Sequence, residues 1–112
     1  MEAALDTLTD LIAAWPGLTS RPDRDLVEDG LVLLEYLGSA KRIVDVGSGG
    51  GVPGLALKIA RPELHVTLIE SSQRKAAFLV AAAAQLGLEG VEVIRLRAEE
   101  AGRHGRTDYA AR

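Results

Sequence analysis

This 112-residue chain lacks cysteine and has only two histidines. Without cysteine there is neither a disulfide framework nor a thiolate metal site, and His65 and His104 have no spaced partner, so we predict no metal. No apolar run approaches the roughly 18 residues of a membrane span, and the N-terminus lacks the basic-then-apolar form of a signal peptide. We therefore expect a cytoplasmic protein with no membrane partner.

Length and composition predict one small folded domain. Hydrophobic residues make up 47% of the chain, which is typical of a globular protein. The net charge of −3 argues weakly against a nucleic-acid partner. However, residues 1–70 hold 6 Lys/Arg against 11 Asp/Glu, whereas residues 71–112 hold 7 against 5. The basic C-terminal part leaves room for a local phosphate-contacting patch.

The chain is organised around a glycine-rich stretch, residues 41–54. The apolar run Ile43 to Val46 predicts a buried strand, which then breaks into glycines. Pro53 suits the first turn of a helix, where its missing N–H is not needed. A strand, a glycine turn and a helix N-terminus together form a site for an anionic group.

Two classes of ligand use this arrangement. A dinucleotide motif, G-x-G-x-x-G, is matched by Gly49, Gly51 and Gly54. The acidic-x-Gly-x-Gly-x-Gly turn of S-adenosylmethionine (SAM) proteins is matched by Asp45, Gly47, Gly49 and Gly51. The glycines leave both open, but Asp45 favours SAM, because a carboxylate attracts the cationic amine of SAM and repels a pyrophosphate. A turn without a ligand is disfavoured, since so many glycines weaken a fold.

Two further loops are expected at the same edge of the sheet. Glu70 follows a second predicted strand, 21 residues after Gly49, where an acid binds ribose hydroxyls in a βαβ unit. The plainer reading is a surface acid at a strand end. Ala98 and Glu99 follow a third predicted strand, where a loop meets the adenine edge. Ligands bind at the carboxyl ends of parallel strands, so the three loops should converge.

Alternating strands and helices predict an α/β fold with a parallel sheet and right-handed crossovers. The predicted strands are Ile43–Val46, His65–Ile69, Val91–Leu96 and Thr107–Ala110. The predicted helices are residues 3–14, Leu26–Leu37, Gly54–Ala60 and the stretch between Ser72 and Gly87, whose apolar stripe is Ala76, Leu79, Val80 and Ala83.

Several motifs resemble those of the GidB/RsmG methyltransferases. They are the glycine turn with its Gly-Val-Pro-Gly extension, Thr67–Ser71, Arg74–Leu79 and the Arg-Ala-Glu-Glu box at 97–100. The resemblance implies a Rossmann-like class I SAM-dependent methyltransferase fold. Residues 1–40 would form an N-terminal flank of two helices, and residues 41–112 a SAM-binding half-domain that stops after about four strands.

The resemblance also implies an activity: methylation of N7 of a guanine in 16S ribosomal RNA, with SAM as cofactor and the small ribosomal subunit as partner. Arg112 would contact the RNA or the target base as a catalytic residue. The implied cofactor-binding residues are Asp45, Gly47, Ser48, Gly49, Gly51, Pro53, Glu70, Ser71, Ala98 and Glu99.

The chain departs from the family pattern in places. The family usually has Asp-Ser-Leu at Asp29-Gly30-Leu31, preceded by a histidine at the position of Leu26, and it continues well beyond Arg112. We therefore expect a fragment with weak or no activity alone. An exposed edge on the first or fourth strand would favour a dimer, strand exchange or a disordered C-terminus. The alternatives are an NAD-binding oxidoreductase half-domain and a non-catalytic SAM-binding remnant.

Overall fold

Helices and parallel strands alternate along the chain. The computed structural model describes residues 1–15, 17–18, 23–47, 53–96 and 110–111. The helices are α1 (Glu2–Ala14), α2 (Arg24–Leu31), α3 (Leu34–Leu37), α4 (Gly54–Ala60) and α5 (Gln73–Gln85). The strands are β1 (Arg42–Val46), β2 (His65–Ile69), β3 (Val91–Ile94) and β4 (Ala110–Ala111). The predicted α/β class with a parallel sheet is confirmed.

The sheet has the strand order β3-β2-β1-β4, and each neighbouring pair is parallel. β4 pairs with Ile43 and Val44, so β1 has neighbours on both sides. An exposed edge was expected on the first or the fourth strand, and the structure places the fourth there and not the first. Of the described strands, β3 and β4 lie at the edges. β3 ends at Ile94, earlier than predicted. β4 covers Ala110 and Ala111, and the rest of the predicted fourth strand, Thr107–Tyr109, lies outside the described residues.

Alternate strand residues face two different apolar clusters, as the two-residue period of a strand requires. Ile43, Val66 and Leu68 join the main core together with residues from α1, α2, α4 and α5. Val44 and Ile69 point the other way and form a smaller cluster with other strand residues and Leu96. Among the described residues, the helices thus bury their apolar sides against one face of the sheet.

The helical spacing of apolar residues predicts the buried side of α1 correctly and that of α5 only in part. The predicted helix over residues 3–14 is confirmed as α1, and its apolar residues Leu5, Leu8 and Ile12 are buried. In α5 the prediction that Val80 faces the core is wrong, because 56% of its surface is exposed. Phe78, which was not predicted to face the core, is buried there together with Leu79. Successive helical residues are about 100° apart, so burying residues 78 and 79 turns residue 80 towards solvent.

The helix predicted from Leu26 to Leu37 is two helices, α2 and α3. α2 begins earlier than expected because the side chain of Asp23 accepts a hydrogen bond from the Leu26 N–H at 2.9 Å and so caps it. At its end, the N–H of Leu33 donates to the carbonyl of Gly30, a tight turn that interrupts the helix. Glycine is a poor helix former, which explains a break at this point.

Charged side chains join the first two helices. Arg24 of α2 bonds to Glu2 at 2.6 Å and also to Asp6, both on α1. The hydrogen bond to Glu2 is the largest influence that raises the pKa of Arg24. In the described part of the chain, no helix is long and apolar enough to cross a membrane.

Candidate functional site

The site lies where β1 and β2 end, beside the first residues of α4 and α5. Val46 pairs with Ile69 in the sheet, and the N–H of Gly47 extends this ladder by donating to the carbonyl of Ile69 at 2.7 Å. β3 continues the same edge, since the Glu70 N–H donates to the Ile94 carbonyl at 2.9 Å. The carboxyl ends of three strands therefore meet at one edge, where α/β proteins bind ligands.

Asp45 stands near the end of β1 with none of its surface exposed. Its Oδ2 atom accepts a hydrogen bond from the backbone N–H of Gly54, the first residue of α4, at 2.9 Å. The first N–H groups of a helix have no partner within it, and that end carries a partial positive charge. The carboxylate of Asp45 therefore joins the strand to the beginning of the next helix.

Gly54 allows this close approach because it has no side chain. A Cβ atom at position 54 would lie 2.5 Å from Cδ2 of Leu68 and 2.8 Å from Oδ2 of Asp45. Both distances are far below ordinary van der Waals contact. The N-terminus of α4 is therefore packed directly on β1 and β2, and Gly54 belongs to the packing of this junction.

Gly47 has the opposite surroundings. Its φ angle is +74°, a conformation in which a side chain is strained, yet an added Cβ would meet no atom of the described residues within 4 Å. Gly47 is therefore needed for the backbone conformation at the end of β1, and the described residues leave open space beside it. Such a glycine lets a ligand approach the backbone closely, which fits the cofactor contact predicted for this residue.

Glu70 follows β2 and is only 6% exposed. Its Oε2 accepts a hydrogen bond from the N–H of Ser72 at 2.8 Å, and the Ser72 side chain accepts one from the N–H of Lys75 at 3.3 Å. The Ser72 side chain thus caps α5. Ser71, between them, is exposed. A short hydrogen-bonded turn thus fixes the carboxylate at the edge of the sheet.

Pro53 occupies the N-cap position of α4 and is buried. Its carbonyl accepts a hydrogen bond from the Leu57 N–H at 2.8 Å, the first bond of the helix. The sequence predicted a proline inside the first turn, and the structure places it one residue earlier. Its missing N–H is harmless at either position.

Sequence reasoning missed a buried lysine at the other end of α4. The ammonium group of Lys58 donates to the carbonyls of Pro62 and Leu64, and the residue is 4% exposed. Burial lowers the pKa of this lysine, while Glu63 and Glu89 act in the opposite direction. The four-carbon stem of a lysine can occupy an apolar stripe, so the sequence carried no signal of this role.

Contacts between α5 and the end of α1 were also missed. The ring of Trp15 meets that of Phe78 edge-on at 5.4 Å. An added Cβ at Gly17 would lie 3.1 Å from Nη1 of Arg74, so the guanidinium rests on the backbone of Gly17. Arg74 lies in the first turn of α5, close to Glu70. Trp15 and Gly17 are therefore held against α5.

Comparison with protein families identifies the family to which the chain belongs. The family model GidB, described as rRNA small subunit methyltransferase G, matches residues 20–111, most of the chain. The chain belongs to the GidB family. The family resemblance seen in the sequence is thereby confirmed, together with the class I methyltransferase type of its α/β fold.

Individual GidB relatives support the same assignment. A protein of Sorangium cellulosum is 59% identical over 102 residues, which cover 88% of this chain and 39% of that protein. One of Moorella thermoacetica is 43% identical over 101 residues, again 88% and 39%. Both are named ribosomal RNA small subunit methyltransferase G. The chain spans about two fifths of the length of these curated relatives.

The predicted site of this GidB chain is thus described in part. Asp45, Gly47, Pro53, Glu70 and Ser71 lie together along the edge, at the ends of β1 and β2. The other predicted site residues lie outside the described residues; they are Ser48, Gly49, Gly51, Ala98, Glu99 and Arg112. Within the described ranges, no group of three His, Cys, Asp or Glu residues could hold a metal ion.

Proposed function

We propose that this chain is the cofactor-binding part of a SAM-dependent methyltransferase that acts on N7 of a guanine in 16S ribosomal RNA. The observation that carries the proposal is the match to the GidB family model over residues 20–111. The edge formed by β1 and β2 supports it, because it combines open space at Gly47 with the carboxylates of Asp45 and Glu70.

The charge of this edge favours SAM over NAD. Asp45 and Glu70 are both buried, and charges interact more strongly in a buried site than in water. Asp45 favours a ligand with a cationic amine and a sulphonium over one with a pyrophosphate, whereas Glu70 suits the ribose of either ligand. When bound, SAM would supply a methyl group already activated by its sulphonium.

Each residue of the proposed site has a role in holding the donor. Asp45 attracts the amino end, Gly47 leaves room beside the backbone, and Glu70 binds the ribose hydroxyls. Ala98 and Glu99 flank the adenine. The remaining proposed contacts with the donor are Ser48, Gly49, Gly51, Pro53 and Ser71.

The proposed chemistry consists chiefly of positioning. N7 of guanine has a free lone pair, so no proton has to be removed before it attacks a methyl group. Aligning two reactants in this way can lower a barrier substantially without a general base. Arg112 is proposed to contact the RNA or the target base. The proposed setting is the cytoplasm, with the small ribosomal subunit as partner.

Calorimetric titration tests the choice of cofactor. We expect SAM and S-adenosylhomocysteine to bind the chain and NAD not to bind. Binding of NAD without binding of SAM would refute the methyltransferase proposal. Methyl transfer from labelled SAM to small ribosomal subunits tests the substrate, and label appearing in protein or in another RNA would contradict it.

We also propose that residues 1–40 are a helical flank of a half-domain formed by residues 41–112. In support, α1 and α2 place Leu5, Leu8 and Val27 in the same core as Ile43 of β1. Deleting α1 should therefore expose apolar surface and lower the unfolding temperature of residues 41–112. An unchanged unfolding temperature would contradict this arrangement.

The sheet edges suggest association between copies. Among the described strands, β3 pairs only with β2 and β4 only with β1, so each leaves backbone groups that another strand could bind. We propose a dimer or strand exchange through such an edge. Light scattering at several concentrations tests this, and a monomer at every concentration would refute it.

A further inference from the structure

We propose that the hydrogen bond between the carboxylate of Asp45 and the N–H of Gly54 positions the donor-binding turn, so that donor affinity depends on this bond as well as on the charge of Asp45. We call the pair the β1–α4 latch. The inference rests on the proposed function, since the donor is taken to be SAM. It makes Gly54 a positioning residue that acts through the backbone.

The latch holds one end of the turn that joins β1 to α4. At the other end, the N–H of Gly47 donates to the carbonyl of Ile69 and fixes the turn to β2. Eight residues separate Asp45 from Gly54, so no local hydrogen bond of the strand determines where α4 begins. The hydrogen bond of 2.9 Å between Oδ2 and the Gly54 nitrogen connects the start of α4 directly to β1.

Close packing around Gly54 and α4 restricts movement of the latch residues. Gly54 touches both Asp45 and Leu68 so closely that a Cβ would overlap with them. Every residue from Gly54 to Ile59 is buried. At the far end of α4, the ammonium of Lys58 holds the carbonyls of Pro62 and Leu64. Because described residues hold α4 at both ends, we expect a change at the latch to alter the position at which the chain enters the helix.

Carboxylate chemistry allows Asp45 to fill two roles. Two oxygens offer about four acceptor positions, so Oδ2 can bind the Gly54 N–H while the group still attracts a cation. The two roles are separable by substitution. Asparagine at position 45 keeps an acceptor oxygen but loses the charge, alanine loses both, and alanine at position 54 leaves the carboxylate in place.

The experiment compares the full chain with Asp45→Asn, Asp45→Ala and Gly54→Ala. Titration with SAM gives the affinity, and NMR hydrogen exchange of the residue 54 amide without SAM reports on the latch. We expect Asp45→Ala to accelerate this exchange and to weaken SAM binding at least roughly tenfold, as loss of a buried, charge-assisted hydrogen bond predicts. Asp45→Asn should protect the amide better and bind SAM more tightly than Asp45→Ala. Gly54→Ala should also weaken binding.

Ile59→Val is the matched control, because Ile59 lies in the same helix and in the core, five residues after Gly54, and is not part of the latch. It should lose some stability and keep the affinity for SAM. A folded Gly54→Ala chain that binds SAM as tightly as the unchanged chain overturns the proposal. If Gly54→Ala does not fold, equal exchange and equal affinity of Asp45→Asn and Asp45→Ala overturn it. If the unchanged chain does not bind SAM, the proposed function fails, and the exchange data still report whether the latch exists.

Discussion

The two strand-to-helix junctions of the site are stabilised by the same kind of hydrogen bond, which spans different lengths of chain. At each junction, a buried carboxylate at the end of a strand accepts a hydrogen bond from a backbone N–H at the start of the next helix. Between β1 and α4 the bond joins Asp45 to Gly54, and between β2 and α5 it joins Glu70 to Ser72. The first bond spans nine positions along the chain and the second only two.

This difference in span implies a difference in role. The bond between Glu70 and Ser72 closes a local turn, and the cap formed by Ser72 gives α5 a second support. α4 has no side-chain cap from its own N-cap residue, Pro53, and depends on Asp45 from the strand. We therefore expect substitutions at the first junction to affect stability and ligand binding together, and those at the second to affect binding more than stability.

The largest expected effect is that of Gly54→Ala. Its Cβ would overlap with Leu68 and Asp45, so we expect it to lower the free energy of unfolding by about 3 kcal/mol, the upper end for overpacked cores. Gly47→Ala is the comparison, because it adds a Cβ in open space and should cost only about 1 kcal/mol of backbone strain. Urea denaturation measures both. A larger loss for Gly47→Ala would show that packing does not control this junction.

Alanine at the two carboxylates tests the junctions against each other. Asp45→Ala leaves the buried N–H of Gly54 without its acceptor, and we expect a loss of about 2 kcal/mol. Glu70→Ala frees the N–H of Ser72 in a half-exposed turn, where water can replace the carboxylate, so the loss should be about 0.5 kcal/mol. Thermal unfolding of both variants measures the difference. Equal losses of stability in the two variants would show that a hydrogen bond between distant residues is no more important here than one within a local turn.

Removing the cap of α5 should have a smaller effect than Asp45→Ala. Ser72→Ala deletes the acceptor of the Lys75 N–H, and we expect a loss of about 1 kcal/mol, a typical value for a helix cap. Ser39→Ala is the control, because Ser39 is exposed and belongs to no helix. Its effect should stay within about 0.5 kcal/mol. If Ser72→Ala is equally harmless, Glu70 alone is sufficient to hold the start of α5.

The smallest effect concerns Lys58 and depends on pH. Burial lowers the pKa of Lys58 below its ordinary value of 10.5, so in the alkaline range the unfolded chain binds more protons than the folded one. Stability owed to this group therefore rises as the pH increases from below the folded pKa towards 10.5. The stability difference between the unchanged chain and Lys58→Met should increase between neutral and alkaline pH.

Lys41→Met is the control for this titration, because Lys41 is exposed at the beginning of β1. Its stability difference should stay nearly constant over the same range. A constant difference for Lys58→Met as well would mean that the ammonium is not penalised by burial. The buried charge at the start of α4, that of Asp45, would then affect stability, whereas that of Lys58 near its end would not.

Much of the fold was predictable because local patterns and long-range packing agree. The bounds of α4 and β2 were predicted correctly, since a glycine turn, Pro53 and the Arg61–Pro62 pair mark their limits. The break between α2 and α3 was missed, because apolar periodicity continues through it. Val80 was wrongly predicted to be buried. In an alanine-rich helix the apolar side is broad, so the sequence does not fix how the helix is rotated about its axis.

The residues of the site could be predicted from the sequence, but most of the contacts between them could not. Asp45, Gly47 and Glu70 were identified from their spacing, and they lie at one edge of the sheet as expected. Neither the bond from Gly54 to Asp45 nor the burial of Lys58 could be read from spacing. Both depend on how α4 rests on the sheet, and that position is set by contacts with residues distant in the chain.

The amino-acid sequence by itself determined the family, the alternation of strands and helices, and the residues that reach the binding edge. These properties follow from local order, because a side chain at the end of a strand is placed by its own strand. Tertiary structure alone decided which of two similar glycines is needed for packing and which leaves open space. The sequence shows where a Cβ is missing, but only the neighbours brought in by folding show what that Cβ would meet.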